Sequence, residues 1–230
     1  MSDLPAQEPE VAAGEPHSQP AAQPTVEPVV EHAPGPARKR PKPGERRVQI
    51  LQTLAAMLEQ PGAERITTAA LAARLDVSEA ALYRHFASKA QMFEALIDFI
   101  ESSVFGLIGQ ITEREPDGRT QAARIVAMVL QFGERNPGMA RVMGGDALVL
   151  EHERLQQRMN QLFDKLEAAL RQCLRNAAAG GPATPTPDAD AQVTASVLAA
   201  FTAGRLQRFA RSGFRRAPTE QLDACIARML

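Results

Sequence analysis

Apolar residues recur at intervals of three and four along most of the chain after residue 45, which is the spacing of helices with one buried face. The first such helix is predicted to begin near Arg46 and to end at the Gln-Pro-Gly sequence of residues 60–62. Its apolar face consists of Ile50, Leu51, Leu54, Met57 and Leu58. The pattern that follows is also helical, so the predicted fold class is all-α.

Two short helices come next, separated by the sequence Leu-Asp-Val at residues 75–77. Thr67 or Thr68 is predicted to cap the first, because a side-chain oxygen there can accept a hydrogen bond from a free backbone N–H. Ser78 is predicted to cap the second, with Glu79 in its first turn, where the helix dipole favours a carboxylate. Two short helices joined in this way form a helix-turn-helix unit, whose second helix enters the major groove of DNA.

The C-terminal half of the chain also shows helical spacing. The predicted helices cover residues 91–115, about 119–135, about 146–176, 191–214, and about 218 to the end. The stretch 177–190, AAAGGPATPTPDAD, is rich in helix breakers and is predicted to be a loop. Pro137 is expected to end the helix before it.

These elements predict three parts of the chain. Residues 1–44 form a disordered acidic tail rich in Pro and Ala that ends in a basic run. Residues 45–90 form the helix-turn-helix DNA-binding domain, and residues 91–230 form a helical dimerisation and partner-binding domain. Residues 1–37 hold six acidic residues and no Lys or Arg, and such a segment buries too little apolar surface to offset its ordering entropy.

A basic run, RKRPKPGERR, covers residues 38–47 and joins the tail to the first helix. It is interpreted either as an arm that lies along DNA phosphates or in a minor groove, or as a solvated basic linker. Taken alone, the two interpretations are about even, and the motif that follows favours the arm. The arm residues are Arg38, Lys39, Arg40, Lys42, Arg46 and Arg47.

Composition narrows the class of protein. The 230 residues are 44% hydrophobic with a formal net charge of −1, and no apolar run approaches the roughly 18 residues that cross a membrane. The N-terminus does not resemble a secretory signal, so we expect a cytoplasmic protein that does not bind a membrane. Cys173 and Cys225 lack metal-ligand spacing, and neither a carboxylate pair nor a Gly-rich phosphate loop occurs. We expect no enzyme activity, no cofactor and no metal.

The segment TTAALAARLDVSEAALYRHFASK, residues 67–89, closely resembles the DNA-binding signature of the TetR family of repressors. Asp76 stands where the family usually has Gly, and Ala87 stands where it usually has Pro. A left-handed backbone is expected at Asp76, and Asp is among the few residues that tolerate it at modest cost. The resemblance implies a TetR-like fold, with a three-helix DNA-binding domain followed by a helical dimerisation domain.

The resemblance also implies which residues contact DNA. Tyr83, His85 and Lys89 present a hydroxyl, an imidazole and an ammonium to backbone phosphates, and such contacts position a protein without reading sequence. The alternative for Tyr83 and His85 is a satisfied surface pair. Arg65 and Thr67, at the start of the second helix, are suited to another phosphate.

Base reading is left to a short set of residues, namely Ser78, Glu79, Ala80 and Ala81. Ala can touch a thymine methyl group, Ser can bond to any base, and Glu can accept from cytosine. Few direct base contacts are therefore expected, and shape readout and phosphate contacts must supply the rest.

A narrower resemblance covers nearly everything from Arg46 to about Ala224, including FGERNPGMARVMGGDALVL and RLQRFARSGFRRAPTEQLDA. These segments are similar to the nucleoid occlusion branch of the TetR family. The resemblance implies a nucleoid-associated protein that binds short palindromic chromosomal sites as a homodimer, with more than one dimer per site. It also implies that the DNA-bound form antagonises assembly of the division protein FtsZ.

An apolar stripe on the helix of residues 191–214 is predicted to form the dimer interface. With the last helix, it is expected to pack against its symmetry mate as a four-helix bundle. The alternative is that this stripe belongs to the core of a single chain. The predicted interface residues are Val193, Val197, Phe201, Gly204 and Phe209.

A second candidate surface would bind the C-terminal tail of FtsZ, which the resemblance implies is acidic and apolar. It comprises Phe99, with Met92 beside it, and Arg135 with Asn136 just before Pro137. Leu107 stands where the resemblance leads us to expect Arg, so part of the charged contact is missing. The alternatives are that Phe99 packs against the helix-turn-helix domain of residues 45–90, which we call the reading head, and that Arg135 caps its own helix.

The alternative function is a ligand-responsive TetR-type transcriptional repressor. Such a repressor encloses a pocket in its helical domain, and a small molecule there shifts the spacing of the reading heads. The discriminating feature is a helix-lined cavity that binds an effector and weakens DNA binding.

Overall fold

The computed structural model describes residues 44–60, 65–149, 151–180 and 186–230. Within these ranges the regular secondary structure is helical, which confirms the all-α fold class. The helices are α1 (Glu45–Leu58), α2 (Thr68–Leu75), α3 (Glu79–Tyr83), α4 (Lys89–Arg114), α5 (Gly118–Arg135), α6 (Pro137–Met143), a 3₁₀ turn (Asp146–Leu148), α7 (Glu153–Gly180), α8 (Pro187–Arg211) and α9 (Leu222–Met229). The predicted tail and arm over residues 1–43 lie outside the described residues.

The structure adds one helix to the predicted set and moves the boundaries of two others. Pro137 ends α5 as predicted but also begins α6, because its fixed φ suits a first helical position. The helix predicted from residue 146 begins only at Glu153, because residues 146–148 form a 3₁₀ turn instead. Much of the predicted loop is helical, since α7 continues to Gly180 and α8 begins at Pro187.

Helices α1 to α3 share one small core. Ile50, Leu54 and Leu58 line the inner face of α1 and are at most 1% exposed. Leu82 of α3 and Phe86 just after it are equally buried and close the core from the other side. Burial of each such side chain is worth about 1.5–3 kcal/mol, so the short helix α3 is held by its neighbours rather than by its own length.

The remaining helices pack into a larger core. Helix α7 lies along α8, and α5 contacts both of them as well as α4. Val104, Val129, Leu166 and Leu198, from these four helices, are all completely buried. In the described residues, no helix combines the length and apolarity needed to cross a membrane.

Helix α6 connects the two cores because it touches both α1 and α8. At Gly138 a Cβ atom would lie closer than 3.0 Å to the backbone oxygen of Ala55 in α1. Arg141 donates from Nη1 to the Gln60 carbonyl oxygen just after α1, at 2.9 Å, and its guanidinium lies 4.8 Å from the centroid of the Phe214 ring. This seven-residue helix thus fixes the end of α1 against the end of α8.

We predict that Gly138→Ala destabilises the protein, because the added methyl group would meet a backbone atom that cannot rotate away. The expected cost is about 2–3 kcal/mol, or a fall of roughly 5–10 °C in the melting temperature. Gly106→Ala in α4 is the matched control, since its Cβ would meet no atom within 4 Å. Removing an exposed glycine from a helix should raise stability by about 0.5–1 kcal/mol. Thermal unfolding followed by circular dichroism tests both, and equal melting temperatures would contradict the close approach.

Candidate nucleic-acid interface

Side-chain caps and one left-handed residue shape the turn between α2 and α3. Thr67 caps α2, and its side-chain oxygen accepts from the Ala70 backbone N–H at 3.1 Å. Asp76 adopts φ 55° and ψ 50°, which confirms the predicted left-handed conformation. Ser78 caps α3 by accepting from the Ala81 N–H at 3.3 Å. The two helices are therefore set by hydrogen bonds within the motif itself.

The base-reading residues lie at the start of α3. Ser78, Glu79 and Ala80 are exposed, whereas Ala81 is half-buried. Glu79 is oriented by α2, because the Thr68 hydroxyl donates to its Oε2 at 2.6 Å. One carboxylate oxygen is thus engaged within the head, and the other can still accept from a base.

The predicted phosphate contacts surround this helix. Arg65, Thr67, Tyr83 and His85 are all exposed, and the Tyr83 side chain is 45% exposed despite its size. Sequence reasoning did not select Arg84, an exposed cation that directly follows α3. The signal was available, since this arginine lies between two residues already assigned to DNA.

Lys89 has a partner inside the protein. Its ammonium forms an ion pair with Glu151, in the segment just before α7, and lies 5.7 Å from the centroid of the Phe93 ring. The Glu151 side chain is only 10% exposed, so water screens this pair weakly. A phosphate at Lys89 would share the ammonium with this carboxylate.

Arg47 makes contacts within the reading head. Its Nη1 donates to the backbone oxygen of His85 at 3.0 Å, and its guanidinium stacks 4.1 Å from the centroid of the Phe86 ring. Arg46 donates to Gln49 on the same helix at 2.9 Å. Arg47 is nevertheless exposed, so its assignment to the arm stays a prediction, and the arm residues Arg38, Lys39, Arg40 and Lys42 lie outside the described residues.

The candidate partner surface lies on α4 and α5. Phe99 is 51% exposed and Leu107 is 37% exposed, so neither is part of the core, and Arg135 is also exposed. Asn136 is half-buried, and its side chain donates to the Phe132 carbonyl oxygen at 2.8 Å. Met92 has no exposed surface, so its assignment to the partner surface is wrong, because it faces the core one helical turn before Leu96.

Phe99 and Arg135 lie at similar distances along α4 and α5 from the connection between these two helices. A three-residue connection joins α4 to α5, so these packed helices run in opposite directions. Phe99 lies 15 residues before Arg114, or about 22 Å along α4, and Arg135 lies 17 residues after Gly118, or about 26 Å along α5. An apolar anchor and a cation are therefore available on neighbouring helices.

The predicted dimer stripe is partly exposed and partly core. Val193 and Val197 are 63% and 47% exposed, and a Cβ at Gly204 would meet no atom within 4 Å. Phe201 is half-buried beneath the Arg205 guanidinium, which lies 5.0 Å from its ring centroid.

Phe209 does not belong to the exposed stripe. It is 4% exposed and packs edge-on against the Phe214 ring, with centroids 5.2 Å apart. Ala200, which sequence reasoning did not select, is exposed between Val197 and Gly204 at helical spacing. The exposed stripe of α8 therefore consists of Val193, Val197, Ala200 and Gly204.

Comparison with known proteins gives two matches to family models. Residues 50–96 match the bacterial regulatory proteins of the tetR family. Residues 117–228 match the tetracyclin repressor-like, C-terminal domain of the SlmA-like type.

Individual relatives match over most of the chain. The nucleoid occlusion factor SlmA of Salmonella paratyphi A is 50% identical over 189 residues, which cover 82% of this chain and 94% of the relative. That of Alteromonas mediterranea is 48% identical over 182 residues, or 79% and 92% of the two chains. Among solved structures, the ketosteroid transcriptional regulator KstR2 of Mycobacterium tuberculosis has the same fold, with a TM-score of 0.63 and 18% identity over 80% of this chain and 92% of that one.

We predict that phosphate contacts and base contacts separate experimentally. Tyr83→Phe removes only a hydroxyl and should weaken binding to a selected site and to a random duplex by the same factor. Ser78→Thr keeps the cap hydroxyl of α3 but adds a methyl group beside the bases, so it should change the preferred sequence. Fluorescence anisotropy after selection of sites from a random pool measures both. Loss of only specific binding in Tyr83→Phe would contradict the assigned role.

Proposed function

Since the chain belongs to the SlmA family of nucleoid occlusion factors, within the tetR family of bacterial regulatory proteins, we propose that it marks chromosomal DNA against cell division. It binds short palindromic sites as a dimer, and the DNA-bound dimer antagonises FtsZ assembly, so that no septum forms over the nucleoid. The observation that carries the proposal is the 48–50% identity to named nucleoid occlusion factors over most of both chains.

The geometry of the reading head supports a DNA-binding role with few base contacts. Helix α3 has five residues, and only Ser78, Glu79 and Ala80 are exposed at its start. Phosphate contacts from the surrounding residues supply affinity that does not depend on sequence. Several dimers bound to one site add avidity that a single dimer with few base contacts lacks. A protein that marks a region of the chromosome can work with such a head.

Dimerisation places two heads on one palindrome, and the exposed stripe of α8 is the surface we assign to it. Its small residues, Ala200 and Gly204, let the backbone of a partner helix come close, and its two valines supply apolar area. A two-fold axis through this stripe pairs each α8 with its own copy, as an isologous interface requires.

The proposed FtsZ contact uses Phe99 as an apolar anchor and Arg135 as a cation for a carboxylate. A buried aromatic ring and a bidentate guanidinium are the groups that dominate small interfaces. Leu107 extends the apolar part of the surface along α4. An acidic and apolar tail therefore fits the chemistry of these side chains.

A ligand-responsive repressor is the alternative function, and it requires a cavity among the C-terminal helices. The residues at the centre of α4, α5, α7 and α8 are completely buried against one another, as Val104 and Leu198 illustrate. A cleft of about 580 Å³ does open between the end of α7, the start of α8 and the start of α5, but it is open to solvent and includes Arg119 and Leu230. In the residues that the structure describes, side chains fill the centre of these four helices, and this supports nucleoid occlusion over a ligand-responsive repressor.

We predict that Val197→Glu yields a monomer, because the stripe would bury a carboxylate without a partner. Phe201→Glu is a poorer test, since Phe201 packs partly against the core of its own chain. Gln161→Glu, at an exposed position of α7, controls for the added charge. Sedimentation analysis gives the mass, and a dimeric Val197→Glu protein would place the interface elsewhere. The monomer should also lose specific binding to a palindrome while keeping its helical content.

We predict that Phe99→Ala combined with Arg135→Asp abolishes the effect on FtsZ and leaves dimerisation and DNA binding intact. Light scattering of FtsZ assembly, with and without bound duplex, measures the effect directly. Arg114→Asp, at the exposed far end of α4, is the charge-matched control and should behave as wild type. Normal antagonism by the double variant would move the surface elsewhere. An absence of antagonism by the wild-type protein on DNA would overturn the proposed function.

A further inference from the structure

The last turns of α8 and the turn that follows it carry basic side chains, most of which no role described above uses. Residues 205–216, RLQRFARSGFRR, hold five arginines and no acidic residue. Four of these arginines are exposed, and we call them the arginine patch. The arginine patch consists of Arg208, Arg211, Arg215 and Arg216.

The backbone of the turn is fixed in an uncommon conformation. Gly213 and Phe214 have φ values of 63° and 64°, in the left-handed region that side chains other than glycine rarely adopt. The Phe214 ring is held between the edge of Phe209 and the guanidinium of Arg141. Strain of this kind persists only where the surrounding structure enforces it, and it is frequent at functional sites.

A serine completes the turn and aims two arginines outward. The Ser212 hydroxyl donates to the Phe209 carbonyl oxygen at 2.8 Å and accepts from the backbone N–H groups of Arg215 and Arg216 at 3.2 and 3.0 Å. The side chains of both arginines are therefore attached to a backbone that is already fixed, so a ligand would not have to order this segment.

The charge of the arginine patch is mostly uncompensated. Arg211 pairs with Asp146 at 3.3 Å, and Arg215 donates from Nε to the Ser212 carbonyl oxygen. In the part of the chain that the structure describes, Arg208 and Arg216 have neither an acidic partner nor a hydrogen-bond acceptor. Guanidinium groups left in this state are suited to a bidentate oxyanion such as a phosphate.

The arginine patch lies at the same end of the molecule as the reading head. Arg141, which lies over Phe214, also donates to the Gln60 carbonyl oxygen at the end of α1. Asp146, the partner of Arg211, is five residues from Glu151, the partner of Lys89, and five residues span at most about 18 Å. Arg114, by contrast, is 25 residues from Lys89, or about 38 Å along α4.

We propose that the arginine patch is a second DNA contact, which binds phosphates of the duplex next to the segment held by the reading head and reads no bases. The proposal rests on the DNA binding proposed above, because the duplex is the polyanion that the function brings to this end. A two-fold axis through α8 would place both copies of the patch on the same side of the dimer, where their charges act together.

The salt dependence of binding counts phosphate contacts and therefore tests the proposal. Full-length protein is titrated with a labelled random-sequence duplex at several salt concentrations. Arg215→Gln combined with Arg216→Gln should lower the slope of log K against log salt by about two units, and Arg216→Gln alone by about one. Arg114→Gln is the matched control and should leave the slope unchanged. Arg215→Lys with Arg216→Lys keeps both charges and should restore most of the slope.

Three results would overturn the proposal. If the wild-type protein binds the duplex and the folded double glutamine variant keeps the wild-type slope, the arginine patch does not contact DNA, while the proposed function stands. If that variant keeps the slope but loses binding to an FtsZ C-terminal peptide, the patch serves an acidic protein segment instead. If the wild-type protein binds no duplex at any salt concentration, the proposed function fails as well.

Discussion

The close approach of α6 to α1 is the constraint on which the placement of the reading head depends. Gly138 lets the two backbones touch, and Arg141 ties the end of α1 to the turn after α8. Helix α4 adds a second connection, because its first turns contribute Met92, Phe93 and Leu96 to the buried core before the helix continues to Arg114. The described residues all fall in one compact unit, Pro41–Leu230. A change that tilts α8 would therefore shift α6 and, through its backbone contact with α1, the position of the reading head.

The sequence predicted correctly those features that depend on interactions between residues close together in the chain. The caps at Thr67 and Ser78 and the left-handed Asp76 were all predicted from a few neighbouring residues, and each interaction is made within the motif. Helix α6 was missed because Pro137 is both a terminator and a good first helical residue, and nothing in the preceding sequence distinguishes the two roles. Apolar spacing also began the next helix too early, because residues 146–148 form a 3₁₀ turn and α7 starts only at Glu153.

Side-chain roles that depend on tertiary neighbours could not be predicted in this way. Periodicity placed Met92 and Phe209 on faces of their helices, but only the packed structure shows that other helices cover them. The sequence placed Arg47 in a basic arm, and only the packed structure shows that it also contacts the Phe86 ring and the His85 carbonyl oxygen. Phe99, Val193 and Val197 remain exposed, so the candidate partner and dimer surfaces keep their main apolar residues.

In the proposed function, the ion pair between Lys89 and Glu151 bears on how the protein would search the chromosome. A phosphate that approaches Lys89 meets a nearly buried carboxylate, and the repulsion is the same at every DNA sequence. A uniform penalty leaves the ratio of specific to random affinity unchanged, yet it shortens the time spent on each random segment. Because random sites vastly outnumber true ones, shorter stops leave more molecules free to reach their targets. Glu151 would thus shorten the residence time on random DNA without contacting a base.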